Sequence, residues 1–122
     1  MLEGVVPFPP DFAARYRAKG YWRDKPLREE LGAAFQKFAD RVAIVAGERS
    51  VTYAELDRES TNLALNLLDL GLKPLDRVVV QLPNVYEFAC LYVALQKIGA
   101  IPIAALAYLF RSSPAEVVKS YR

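Results

Sequence analysis

Cys90 is the chain's one cysteine and its first candidate for a strong nucleophile. A thiol does such work as the thiolate, which needs a neighbouring base or cation. The sequence contains no histidine, and Cys90 sits in the apolar run FACLYVAL, so it reads as a small buried hydrophobe. A lone cysteine also excludes an internal disulfide and fits a reducing compartment. The patterns GxxxxGK[ST], GxSxG and GxGxxG and any cysteine pair for a metal are absent. Carboxylates are plentiful, yet none has a spacing that marks a metal site or an acid/base pair. The residue chemistry therefore nominates no catalytic, cofactor-binding or metal-ligating position.

One stretch could still hold a ligand by its backbone. Residues 77–88 read RVVVQLPNVYEF, a β-prone run that stops at Leu82-Pro83-Asn84 and restarts with helical spacing. A helix that follows a parallel strand offers free amides and the positive end of its dipole to an anion. Phosphate binding at such a corner normally also uses glycines for close backbone approach, or a reaching lysine. This corner has neither. Pro83 removes an amide donor, Glu87 adds negative charge to the first turn, and Asn84 is expected to cap the helix with its own side chain. The corner reads as self-capped framework.

The elements that hold this corner follow from periodicity. FPPDFAARYRAKGYW predicts an arm with one or two helical turns ending at Gly20, its aromatics docked on the body. After the start signal Asp24-Lys25-Pro26, the residues Leu27, Leu31, Ala34, Phe35 and Phe38 fall on one helical face. VAIVAGERSVTY predicts a hairpin around Gly47-Glu48. In VTYAEL, Thr52 and Glu55 have the spacing of a capping box, a helix-start device worth about 1 kcal/mol. That helix buries Leu56, Leu63, Ala64, Leu67 and Leu70 and ends at Gly71. RVVVQL is too uniformly apolar for a strand with one wet face, which predicts a parallel strand covered on both sides. A helix over about Val85–Ile98, apolar nearly all round and closed by Gly99, then crosses to a returning strand, AIPIAAL. Strand, helix and strand make a βαβ unit, so the fold class is α/β.

Composition sets the outer limits. The chain has 122 residues, one domain's worth, with 53% hydrophobic and 25% charged residues, enough apolar content for a packed core. Arg15, Arg17, Lys19, Arg23, Lys25 and Arg28 crowd the first quarter, but net charge is only +2 and acidic residues intersperse, so a solvated basic face is preferred to a nucleic-acid patch. Residues 88–110 imitate a membrane span, but Gln96-Lys97 and the Gly99 to Pro102 break suit a buried helix followed by a buried strand. The start MLEGVVPFPPDF lacks a secretory pattern, and a cytoplasmic location is expected.

Taken in order, FAARYRAKGYW and DRVAIVAGERSVTYAEL through LQKIGAIPIAAL resemble the N-terminal part of the adenylate-forming enzymes, the superfamily of acyl-CoA synthetases and peptide-synthetase adenylation domains. VTYAEL is similar to that superfamily's first core motif and LQKIGAIPI to its second. The arm and the QLPNVYEF corner resemble the branch that activates 2,3-dihydroxybenzoate or salicylate for siderophore biosynthesis. The likeness covers about residues 3–106 and implies an N-terminal arm over 1–26, a partial AMP-binding domain over 27–106, and a divergent tail over 107–122.

The resemblance implies an enzyme that joins an aryl acid to AMP, using ATP and Mg2+, and then loads an aryl carrier protein. The phosphate loop, aromatic pocket, adenine and magnesium motif, ribose-binding aspartate and catalytic lysine of such enzymes lie downstream of the matched part. No such residue carries over, so this chain is expected to hold no cofactor and to be inactive alone. After Leu106 the family continues with a proline and a histidine-arginine pair, whereas this chain reads AYLFRSSPAEVVKSYR, with SSPAEVV as a helix start. The expectation is a truncated or split ligase portion with neither a nucleic-acid nor a membrane partner. Self-association through an exposed sheet edge would follow. The alternative is a noncatalytic module or subunit that pairs with a full-length or complementary ligase chain.

Overall fold

A computed structural model describes residues 6–105. The tail over 107–122, its SSPAEVV helix start and the end of the apolar run 88–110 lie outside the described residues. The order of elements is α1 (Pro10–Ala18), α2 (Leu27–Lys37), β1 (Val42–Ala46), β2 (Arg49–Thr52), α3 (Tyr53–Asp69), β3 (Arg77–Val80), α4 (Tyr86–Ile98) and β4 (Ile101–Ala104). β1 and β2 form the expected hairpin, Ala46 opposite Arg49, with Gly47 at the positive φ of 62° that its two-residue turn requires. β3 and β4 pair in parallel through the α4 crossover, from Arg77 opposite Ile101 to Val80 opposite Ala104. The α/β class and the βαβ unit thus stand as read from periodicity.

Thr52 is the N-cap of α3, and both halves of its capping box form: Glu55 N donates to Thr52 Oγ1 at 3.2 Å while Thr52 N donates to Glu55 Oε2 at 2.8 Å. The box joins β2 directly to α3, so the hairpin and the helix share one rigid corner. At the other end of the core Gly99 closes α4 in the left-handed conformation, φ 74°.

α4 is apolar nearly all round because it lies between two cores. On one side Tyr86, Cys90 and Val93 join Phe35 of α2, Val51 of β2 and Leu56 of α3. On the other, Leu95 packs with Val80 and Ala100, flanked by Leu67, Val78, Phe88 and Leu91. Cys90 is buried there, as its sequence setting implied. The α3 and α4 helices form the most extensive helix pair, and their buried residues include the small Ser60, Ala64 and Ala94. The Ser60 hydroxyl returns its bond to the Leu56 carbonyl at 2.6 Å, which satisfies it inside the core.

Four expectations change. The arm's aromatics do not sink into the body: Phe8, Phe12, Tyr16 and Trp22 stack on one another, Phe8 and Trp22 at 4.9 Å, while neither core contains an arm residue. α1 is short and its few large side chains reach their nearest apolar neighbours within the arm itself. Leu27 and Leu70, the first residue of α2 and the C-cap of α3, are exposed. β3 ends at Val80, so Gln81 and Leu82 belong to the turn. Finally, β3 is covered on one face only among the described residues: Val78 and Val80 meet α4, while Val79 stays 37% exposed.

Candidate functional site

The corner after β3 starts its helix differently from what its sequence implies. Val85, not Asn84, is the N-cap of α4, and no side chain caps it. Val85 N donates to the Pro83 carbonyl at 2.8 Å, a tight turn that sets the register one residue later than Asn84 would need. The self-capping reading is therefore overturned at Asn84. Beside this corner lies a shallow cavity of about 330 Å³, lined by Ala46, Gly47, Arg49, Asn84, Val85, Tyr86 and Glu87. The hairpin turn forms one wall and the first turn of α4 the other.

Two polar side chains of this cavity, Arg49 and Tyr86, are already engaged through Glu59. The Tyr86 hydroxyl donates to Glu59 Oε2 at 2.7 Å, and Arg49 Nη2 donates to Glu59 Oε1 at 3.0 Å. The Arg49 guanidinium also lies 4.3 Å from the centre of the Tyr86 ring. The tyrosine hydroxyl, with the arginine adding its charge, holds Glu59 below the usual carboxylate range. Burial first, and then the bond to Glu59, pushes the Tyr86 phenol well above its ordinary value. Burial likewise raises the Cys90 thiol, which disfavours the reactive thiolate. A phenol that has given its proton direction to a carboxylate, and an arginine stacked and paired, make a structural bracket between β2, α3 and α4.

A second polar cluster clamps the same helices one face over. Lys97 Nζ donates to Asp57 Oδ1 at 2.6 Å, to the Asp57 carbonyl at 2.7 Å and to Thr61 Oγ1 at 2.7 Å. All three of its donors find acceptors on α3, so it too is committed to packing. In the arm, Asp24 accepts from Arg17 Nε at 2.8 Å, Arg23 pairs with Glu30 at 3.1 Å, Arg15 lies over the Phe12 ring and Lys19 near the Tyr21 ring, so four of the basic run's six cations have local acidic or aromatic partners. Among the described residues no three histidine, cysteine or carboxylate side chains gather as a metal site, and no helix is long and apolar enough to cross a membrane.

Residue reasoning missed the Arg49–Glu59–Tyr86 bracket and the Lys97 clamp. The signal for the second was present: a lysine inside an otherwise apolar run must find partners if its helix is buried on two sides. The bracket joins residues far apart in sequence, Glu59 and Tyr86 being 27 positions apart, and has no local signature.

Comparison with known proteins places this geometry. The model of the AMP-binding enzyme family matches residues 31–119, and the chain belongs to that family of adenylate-forming enzymes. Within it, its relatives include a salicyl-AMP ligase and a 2,3-dihydroxybenzoate-AMP ligase. Triostin synthetase I of Streptomyces triostinicus is 49% identical over 106 residues, covering 87% of this chain and 20% of the relative. The salicyl-AMP ligase / salicyl-S-ArCP synthetase of Mycobacterium tuberculosis is 46% identical over 110 residues, covering 86% and 20%. The 2,3-dihydroxybenzoate-AMP ligase of Bacillus subtilis is 41% identical over 106 residues, covering 87% and 20%.

Solved structures agree. The apo structure of MbtA from Mycobacterium smegmatis superposes with a TM-score of 0.84 at 40% identity, covering 96% of this chain and 22% of that one. The N-terminal subdomain of Klebsiella oxytoca NpsA, solved with anthranilyl-AMSN, gives a TM-score of 0.74 at 28% identity over 79% of this chain and 25% of that one. The chain thus spans about a fifth of the length of the curated relatives it matches.

Proposed function

We propose that this chain is the N-terminal portion of an ATP-dependent ligase that joins 2,3-dihydroxybenzoate or salicylate to AMP and loads the aryl group onto a carrier protein in siderophore biosynthesis. The observation that carries this reading is that the likeness to aryl-acid ligases is continuous from the aromatic arm through the β3–α4 corner to β4, rather than confined to the two general core motifs. In this reading residues 1–26 are the arm, 27–106 the partial AMP-binding body and 107–122 a divergent tail, and the protein works in the cytoplasm.

ATP and Mg2+ do not fit the residues present. The corner brings Glu59 and Glu87 to the place where phosphates would need positive charge, its arginine is already paired, and no carboxylate cluster stands ready for a divalent ion among the described residues. No catalytic step can be routed through these side chains. What they do is hold the hairpin, α3 and α4 in fixed relation, which frames the βαβ unit on which the rest of an AMP-binding domain would be built.

By this reading the 122-residue chain does not catalyse adenylation alone. The test is aryl-acid-dependent exchange of labelled pyrophosphate into ATP by the purified chain. Exchange no greater than a blank without acid is expected; robust exchange dependent on both ATP and 2,3-dihydroxybenzoate or salicylate would overturn the placement of the chemistry. The nucleotide sequence after the Arg122 codon gives an independent check. A continuation in any frame that encodes a glycine-rich phosphate loop supports the ligase portion.

The second reading is a noncatalytic subunit that pairs with a ligase chain. The open sheet edge and the arm aromatics left outside both cores favour it.

A further inference from the structure

The β3–β4 sheet has two open edges, and they are not equivalent. Ile101 N donates to the Asp76 carbonyl at 2.8 Å and Ala105 N to the Val80 carbonyl at 2.9 Å. Backbone groups alternate along a strand, so Ile101, Ile103 and Ala105 face β3, while Pro102 and Ala104 turn theirs to the outer edge of β4. Pro102 has no N–H to offer there. A proline within a strand is confined to a side that needs no donor, so the outer edge of β4 is closed to a full ladder.

The same register leaves β3 in the opposite condition. Asp76, Val78 and Val80 face β4, which turns the N–H and C=O of Arg77 and Val79 to the other edge, each residue offering a donor and an acceptor. Among the described residues no strand lies on that edge. The Val79 side chain, 37% exposed on the face away from α4, adds an apolar contact beside the free ladder. Parallel sheets are normally covered on both faces and rarely stop at two strands.

The chain covers 25% of a solved N-terminal subdomain of this family, so the other three quarters of such a subdomain can supply a strand to this edge. We infer that the outer edge of β3, and not that of β4, is the surface through which this chain assembles with the remainder of an AMP-binding subdomain, taking a β-strand from it even when that remainder is a separate polypeptide. This rests on family membership and deepens the subunit reading; it does not depend on which acid is activated.

The experiment mixes the isotope-labelled 122-residue chain with a separately produced polypeptide comprising the part of the Mycobacterium tuberculosis salicyl-AMP ligase that follows its matched segment. Amide exchange is read residue by residue, and binding by titration. In the complex, Arg77 and Val79 amides are expected to slow by about tenfold or more while Ala104 stays fast. Val79→Pro removes an outward amide without touching the β3–β4 ladder and is expected to weaken binding by about tenfold, a loss of one strand hydrogen bond and its contacts. Ala104→Pro makes the matching change on β4 and is expected to leave binding within about twofold.

Circular dichroism of both variants separates a lost interface from a lost fold. Protection of Ala104 in place of Val79, equal weakening by both prolines in folded variants, or no complex at all would overturn the inference. So would protection of Val79 that grows with the concentration of the chain alone, since a second copy would then be the occupant. None of these readouts depends on adenylation, so a failure of the aryl-acid reading would be seen separately in the exchange assay.

Discussion

The Tyr86 hydroxyl, at the first turn of α4, donates a 2.7 Å hydrogen bond to Glu59 in the middle of α3. It brackets the two helices at the end where no side chain caps α4. Tyr86→Phe keeps the buried ring and removes only this bond, and is expected to cost about 1 to 2 kcal/mol because the acceptor is charged. Urea unfolding reads the loss as a shift of midpoint at unchanged slope. An unchanged midpoint would show that the bracket contributes nothing to stability.

Lys97 ties the opposite end of α4 to Asp57 and Thr61 with all three of its donors. Lys97→Met retains the apolar stem and abolishes the clamp; since the Asp57 side chain is half exposed, solvent screening limits the expected cost to about 1 kcal/mol. The wild-type chain should lose part of this margin in high salt, whereas the variant's stability should be less sensitive. Thermal melts at low and high sodium chloride compare the two.

Acid should weaken the fold in part through two glutamates. The backbone bond from Thr52, with that of its hydroxyl, holds Glu55 below the usual range, and the Tyr86 hydroxyl does the same for Glu59. A depressed folded-state value means that the unfolded chain takes up the proton first. The contribution is therefore complete above the ordinary glutamate value of about 4.3 and is lost as pH falls through the lower folded values. The midpoint of thermal unfolding is expected to drop between about pH 5 and pH 3, and Glu55→Gln with Glu59→Gln should flatten that slope.

Gly99 ends α4 at φ 74°, and a Cβ there would meet only Pro74 Cβ at an ordinary 3.7 Å. The space is adequate and the backbone conformation is not. Gly99→Ala should cost about 1 kcal/mol, and Gly99→Val more, by left-handed strain alone. Chemical unfolding of the pair checks the order; equal stability of all three would place the residue elsewhere in φ.

Much of this architecture could be read in the chain because its causes are local. Thr52 and Glu55 lie three residues apart and announce the start of α3, Gly47 announces a turn and Gly99 a stop, and the apolar period distinguishes RVVV from the helix that follows. The local reading failed at Asn84. A side chain that could cap was not the one whose backbone entered the helix, because the Pro83–Val85 turn fixed the register. It failed also for Leu27 and Leu70, which lie at helix ends and stay exposed although the helical face was right.

The sequence by itself determined the α/β class, the order of elements, the absence of nucleophile-base and phosphate-loop chemistry within these residues, and the family likeness, since each depends on residue type and short spacing. Only the tertiary structure decided which polar groups meet. Arg49, Glu59 and Tyr86 come from three elements, Lys97 reaches 40 positions back to Asp57, and the arm's aromatics close on themselves. It also decided that β3 keeps an edge able to bond while Pro102 closes the edge of β4, because alternation gives that proline a meaning only once the register of the two strands is known.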